Sequence, residues 1–406
     1  MIIQPAHRTE SVKEYYFSVK NKELSSISRE RTLRGEPPVI NLGIGSPDGL
    51  PPESALDVLC RECRREGSSR YQSYTGIPEL REAFAAWYSR YYGVVLNPAD
   101  QIQPLMGSKE GILIISLAFL NPGDKVLVPD PGYPTYTSAS SLAGAEMVRY
   151  RLKEEDSWQP DFDTLDRAFP EGVKMMWMNY PNMPTGAPAT RELYRRAVEF
   201  GKKHKILIVN DNPYSFILND NPLSILEAPG AFECCLEMNS LSKAHNMAGW
   251  RIGMVAGDAD MIKEVLKVKS QMDSGMYKPL QLAAVEALSS GPEWFAALNA
   301  GYKARREVIW KIFSLLGISC SKDSSGLFVW GKVDLDSPLL KAFPPSAGKT
   351  PGEAVSDALL YGCGVFITPG FVFGRSGEGY VRSSLCAPVQ TLEQAYSRIE
   401  SFLKTI

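Results

Sequence analysis

The chain holds only three histidines in 406 residues, His7, His204 and His245, and they are too scattered to build a His or Cys/His metal cluster from neighbours. No metal is therefore expected. Its seven cysteines are an odd number, at positions 60, 63, 234, 235, 320, 363 and 386, and they repeat no disulfide framework. Reduced thiols fit this pattern. Cys60 and Cys63 form a C-x-x-C, but the pair stands alone in the charged, helix-prone stretch 55–66, so packing of a helix is its expected role. A basic excess is also missing. Forty-four Lys and Arg against 46 Asp and Glu leave a net charge of −2, without the cations that neutralise a phosphate backbone. Nucleic acids and anionic membrane surfaces are not expected partners. The longest uncharged apolar run, Gly111 to Leu120, is about half of the ~20 residues that span a bilayer. The first twenty residues interleave Arg8, Glu10, Lys13 and Glu14 without the apolar core of a signal peptide, which gives a cytoplasmic expectation.

What is present is ordinary globular material, 44% hydrophobic and 22% charged, long enough for two or three packed units. A polar, helix-prone arm runs to Gly35-Glu36-Pro37-Pro38, which stops a helix before the apolar run Val39 to Gly45. Helical periodicity follows over Glu79 to Tyr92 (Leu80, Phe84, Trp87, Tyr91), and Ser108 to Leu120 has the composition of a buried helix. Short apolar strands are expected at Val126 to Val128, Met147 to Leu152, Val173 to Met178 and Ile206 to Val209. The last lacks polar alternation, as a strand buried on both faces of a parallel sheet does. Beyond about 290 the texture changes to a long charged helix, Trp294 to Leu316, and a glycine-marked strand, Gly326 to Gly331. A boundary is expected there.

In open α/β sheets, ligands collect where loops leave the carboxyl ends of strands. Three successive exits here carry Asn179 to Gly186, Asn210-Asp211-Asn212-Pro213-Tyr214, and Ser240-Leu241-Ser242-Lys243. Lys243, followed by the cation Arg251, has a neighbour that favours its neutral, nucleophilic form. A pyridinium cofactor would need a carboxylate for its ring proton, and Asp211 is available. Its phosphate would need backbone donors at a helix start and a fixed cation. Gly107-Ser108-Lys109, Ser240 and Arg251 can supply them. Tyr133, in Asp130-Pro131-Gly132-Tyr133-Pro134, offers a stacking surface.

With these residues in order, the sequence resembles the class I/II aminotransferases of the fold type I pyridoxal-phosphate family, over essentially the whole chain. The motifs that carry the resemblance are Ser240-x-Ser242-Lys243 with Gly249-x-Arg251-x-Gly253, the Pro184-Thr185-Gly186 loop, Asp211-x-x-Tyr214, and Tyr71-x-x-Tyr74-x-Gly76-x-x-x-Leu80-Arg81. Gln271 to Met276 further resembles the LL-diaminopimelate aminotransferase branch. The resemblance implies a three-layer α/β/α large domain with a mostly parallel sheet, plus a small α+β domain built from both chain ends. Residues 1–52 would form the arm and part of the small domain, 53–295 the large domain, and 296–406 the rest of the small one. It also implies a homodimer acting on an L-amino acid and a 2-oxo acid by a ping-pong mechanism, with pyridoxal 5′-phosphate as cofactor.

Residue by residue, the resemblance makes Lys243 the Schiff-base lysine, Asp211 the partner of the ring nitrogen and Tyr214 that of the ring hydroxyl, with Tyr133 stacked on the ring. Ser108, Lys109, Ser240, Ser242 and Arg251 would surround the phosphate, and Tyr71 would reach that of the partner subunit. Arg382 would clamp the substrate α-carboxylate, helped by the backbone at Gly45. Lys109 also stands where some relatives read a distal carboxylate. One departure is visible: the family's Asn before Pro-Thr-Gly is Met183 here, with Asn182 one residue earlier, and Asn182 is expected to reach in instead. Tyr16 and Phe17 are expected to pack a dimer. Rival readings are a β-eliminating carbon–sulfur lyase of the same fold and a non-catalytic binding protein that kept the fold.

Overall fold

The computed structural model describes residues 2–406. A short strand, β1 (Ile40–Asn41), follows the arm helix Tyr16–Leu33. Seven strands then build the large sheet: β2 (Ile102–Leu105), β3 (Lys125–Asp130), β4 (Glu146–Arg151), β5 (Val173–Met178), β6 (Leu207–Asp211), β7 (Cys235–Ser240) and β8 (Gly253–Gly257). Their spatial order is β2-β8-β7-β6-β5-β3-β4. β4, β3, β5, β6 and β7 pair in parallel, and only β8 runs against its neighbours.

Side chains alternate between the two faces of a strand, and here both faces are covered. Val126, Val128, Trp177 and Val209 face a cluster with Ile112, Ile115 and Ile262, while Leu127, Met176, Met178 and Ile208 face another with Phe84, Trp87 and Tyr88. The two helical layers therefore fix the sheet from both sides. That sandwich aims the carboxyl ends of β3, β5, β6 and β7 at one common crevice.

The second sheet is antiparallel, with β9 (Ile318–Cys320), β10 (Phe328–Val333), β12 (Thr368–Pro369) and β13 (Tyr380–Ser384) in the order β12-β13-β10-β9. β11 (Val365–Phe366) precedes β12 and pairs in parallel with β1, so residues from both ends of the chain meet here. Ile40 and Leu42 join Phe313, Val329, Val381 and Ile399 in one core. Within the long helix Pro292–Leu315, Phe295 still belongs to a core of the large sheet, whereas Tyr302, Ile309 and Phe313 belong to that of the second.

All seven cysteines are free, and Cys60 and Cys63 are exposed on and just after the helix Glu53–Glu62. The expectation that they pack that helix is corrected: Ala55 and Glu62 are its buried residues. Among the described residues, no helix is long and apolar enough to cross a membrane.

Candidate active site

A cavity of 520 Å³ lies between the carboxyl ends of the parallel strands, the second sheet and the arm. Gly45, Ser108, Lys109, Tyr133, Asp211, Tyr214, Ser240, Ser242, Lys243, Arg251 and Arg382 all line it. Two expected site residues do not. Tyr71 is 89% exposed and points out of this chain's own cavity, and Asn182 is turned into its loop.

The Asn182 expectation is corrected by its hydrogen bonds. Its Nδ2 donates to the Asn179 carbonyl (3.2 Å), and its Oδ1 accepts from the Thr185 hydroxyl (2.7 Å). Both ends of the amide are thus used in closing the turn. Met183 faces the cavity instead, and its sulfur lies 3.3 Å from Nη1 of Arg382. Asn179, at the exit of β5, also lines the cavity and bridges two strand exits, donating to the Asp211 carbonyl (2.6 Å) and accepting from the Met183 N–H (2.8 Å).

Lys243 sits in the one-turn helix Leu241–Ala244 that follows β7. Ser240 starts that turn by accepting from the Ser242 N–H at 3.1 Å, and the two hydroxyl oxygens are 2.7 Å apart. The Lys243 ammonium donates to the Gly45 carbonyl and has no carboxylate in ion-pair reach among the described residues. Desolvation lowers its pKa, and the charges of Arg251 and Arg382 push the same way.

Asp211 ends β6 and is buried. Its Oδ2 accepts from the Tyr136 hydroxyl at 3.0 Å, while Oδ1 has no partner. Desolvation pushes its pKa up to about 6 against the lowering effects of the Tyr136 bond and of the nearby Ser108 hydroxyl. A buried carboxylate with one free oxygen is costly unless something cationic or N–H-bearing meets it. Tyr136, which the sequence reading passed over, is itself held by stacking on Trp177, with centroids 5.2 Å apart and planes at 11°.

Two arginines line the cavity without an acid partner among the described residues. Arg251, at φ +58°, donates to the carbonyls of Ala248 (2.8 Å) and Met106 (3.2 Å) and pairs with no acid among the described residues. It lies against Gly107 (φ +80°), where a Cβ would come within 2.3 Å of Nη2, so glycine is required for this approach. Next to it the helix Ser108–Phe119 presents its N-terminus, with the Ser108 hydroxyl buried and unpartnered. Arg382, on β13, is buried, donates to the Gly43 carbonyl at 3.0 Å and lies 3.8 Å from the Phe328 ring centroid and 4.6 Å from that of Phe373. Burial depresses even this guanidinium, to about 10. It too has no acid partner among the described residues.

The arm closes the remaining side. Phe17 lines the cavity 5.3 Å from the Arg382 guanidinium, and the Tyr15 ring lies 4.1 Å from the Lys109 ammonium. The expected dimer-packing role of Phe17 is thus replaced by a cavity wall, whereas Tyr16 turns away onto Phe371. No sequence motif marks Tyr15 or Phe17; only the fold brings them to the strand exits.

These residues fit pyridoxal phosphate. The free Asp211 oxygen suits a ring N–H, the unpaired Arg251 and unpartnered Ser108 suit a phosphate, and the amine of Lys243 lies in the same cavity. Such a crevice, above a mostly parallel sheet with a second sheet as its far wall, defines the fold type I pyridoxal-phosphate transferases. A sequence model of the family described as aminotransferase class I and II matches residues 37–399. The LL-diaminopimelate aminotransferase of Dehalococcoides mccartyi is 38% identical over 397 residues, 97% of this chain and 98% of that one. That of Moorella thermoacetica is 36% identical over 403 residues, 99% of each. The substrate-bound structure of BacF from Bacillus subtilis superposes with a TM-score of 0.89 at 34% identity, covering 99% of this chain and 98% of that one. The chain belongs to the class I and II aminotransferase family and stands near its LL-diaminopimelate aminotransferase branch. It is an enzyme of amino-group transfer, in a family that depends on pyridoxal phosphate.

Proposed function

We propose that this chain holds pyridoxal 5′-phosphate in the 520 Å³ cavity and uses it to move an amino group from a dicarboxylic L-amino acid to a 2-oxo acid. One observation carries the reading. A lysine without an acid partner, a buried carboxylate with a free oxygen and two unpaired arginines line a single cavity. In this reading Asp211 accepts from the ring N–H, Tyr214 donates to the ring hydroxyl and Tyr133 stacks on the ring. Ser108, the backbone N–H of Lys109 at the helix start, Ser240, Ser242 and Arg251 hold the phosphate. Arg382 takes the donor's α-carboxylate, with Gly43 and Gly45 lining its approach. When bound, the pyridinium ring supplies an electron sink that acidifies the donor's α-carbon.

The chain's own residues do the rest. Desolvation lowers the pKa of Lys243, which favours release of a free amine able to remove a proton from the α-carbon and return one elsewhere. Arg382 fixes the donor through a charge-assisted, bidentate contact. Phe17, Phe328 and Phe373 exclude water from that contact, which strengthens it. Lys109, beneath Tyr15, is the cation available to a second carboxylate. LL-diaminopimelate, for which the relatives are named, carries an amino acid group at each end and is the first donor to test.

We further infer a cytoplasmic homodimer in which the exposed Tyr71 meets the phosphate of the partner's site. Tyr74, Met272 and Tyr277, exposed near the same junction, support an interface there. A panel of amino acids incubated with and without 2-oxoglutarate tests the activity. Acceptor-dependent glutamate from LL-diaminopimelate supports the reading. Acceptor-independent pyruvate would instead indicate carbon–sulfur elimination, and no turnover of any donor a non-catalytic protein.

A further inference from the structure

Outside the cavity lies one buried charge cluster that the reaction does not use. Lys269, the last residue of the helix Ala259–Lys269, has a side chain only 1% exposed. Its ammonium donates to Glu110 Oε1 at 3.1 Å and to Asp273 Oδ2. Both carboxylates are themselves largely buried, at 9% and 11%. One cation thus holds two acids in a place where an unpaired charge is costly.

What the two acids hold gives the cluster its meaning. Oε2 of Glu110 accepts from the Met106 N–H at 2.6 Å, and the carbonyl of the same Met106 accepts from Arg251 Nη2 at 3.2 Å. The residue between Met106 and Ser108 is Gly107, against which Arg251 is packed. Lys269 therefore orients Glu110, Glu110 holds Met106 by its N–H, and the carbonyl of Met106 sets Arg251. On the other side, Asp273 Oδ1 accepts from the Gly275 N–H at 2.7 Å. Gly275, at φ +87°, lies so close to the segment bearing Tyr71 that a Cβ would meet the Gln72 carbonyl at 2.5 Å.

Charge adds a second reason for the lysine. Glu110 lies in the first turn of the helix Ser108–Phe119, the turn that also offers its N–H groups to an anion. A free carboxylate there would repel a phosphate. Pairing with Lys269, which Glu110 shares with Asp273, weakens that repulsion and keeps the carboxylate turned to Met106.

We propose that Lys269, acting through Glu110, is a positioning residue for the phosphate end of the active site. The inference rests on the reading of Ser108 and Arg251 as the phosphate cradle. The test compares the affinity of the cofactor-free protein for pyridoxal 5′-phosphate with that for pyridoxal, which lacks the phosphate. Wild type is expected to prefer the phosphorylated form strongly. Lys269→Met should cut that preference at least about tenfold while leaving pyridoxal affinity within about twofold. A purely structural lysine would weaken both ligands alike.

Glu110→Ala is the second variant, informative even where Lys269→Met fails to fold. It deletes a negative charge beside the anion, so simple electrostatics would raise the preference for phosphate. Positioning through Met106 requires a fall of similar size instead. Unchanged preference in the variants, or a gain in Glu110→Ala, would overturn the role of Lys269. A wild type that does not distinguish the two ligands would overturn the cradle itself.

Discussion

At the scale of single residues, burial sets what each charge in the cavity can do. Asp211 is pushed up to about 6 by desolvation, against about 3.9 for an unfolded aspartate. The folded cofactor-free protein therefore binds this proton more tightly than the unfolded chain. Its contribution to stability is present below about pH 4 and is lost as pH rises through about 6. The loss is on the order of 3 kcal/mol. Asp211→Asn should remove it: thermal unfolding without cofactor should show the variant gaining on wild type between about pH 4 and 7, and parallel profiles would contradict this assignment. Met183 makes a second case. Its thioether, beside Arg382, can donate nothing to a carboxylate, so Met183→Asn should lower the donor KM by roughly tenfold, the worth of one hydrogen bond to a charged group. Steady-state kinetics with a saturating 2-oxo acid checks it. The sequence shows Met183 where an amide is usual, but it cannot show that Thr185 and the Asn179 carbonyl occupy Asn182.

At the scale of elements, legibility followed how strongly a segment's pattern matched its burial. Val173–Met178 was readable to the residue, because a strand covered on both faces is apolar along nearly its whole length, with only the exposed Lys174 breaking the run near its start. β2 was not, since Gln103 and Pro104 interrupt it. It lies at the sheet edge, bonded only to β8, where a proline is tolerated. β8 hides between Gly253 and Gly257, which look like turn residues until the sheet closes around them. The strand expected at Gly326 to Gly331 begins two residues later, at Phe328, because Gly326 takes a left-handed turn at φ +87°. The loop before the Ser108 helix has a direct test. Gly107→Ala places a methyl group on the Arg251 guanidinium in an unfavourable backbone region, and should weaken cofactor binding at least about tenfold. Spectroscopic titration of the cofactor-free variant measures it. Removing residues 1–17 should act differently, raising the donor KM through loss of Tyr15 and Phe17 while sparing cofactor affinity. Equal damage to both would contradict the arm's role as a wall on the substrate side.

At the scale of the whole molecule, the two sheets and the arm converge on one ligand-sized space, and most of its lining was legible as separate motifs. The convergence was not, because it depends on strand order and on the pairing of β1 with β11 across the length of the chain. The arm's contribution was hidden for the same reason. Tyr71 extends the argument beyond one chain: if it serves the partner's site, Tyr71→Phe should lower cofactor affinity without changing the mass of the particle measured by sedimentation. The central claim is that Lys243 carries pyridoxal phosphate and performs amino transfer. Borohydride reduction of the cofactor-loaded protein makes the link between cofactor aldehyde and lysine amine permanent, and mass spectrometry of the digested peptides then locates it. A phosphopyridoxyl group is expected on Lys243 alone, together with loss of activity; a modified peptide elsewhere, or none, would overturn the assignment of Lys243.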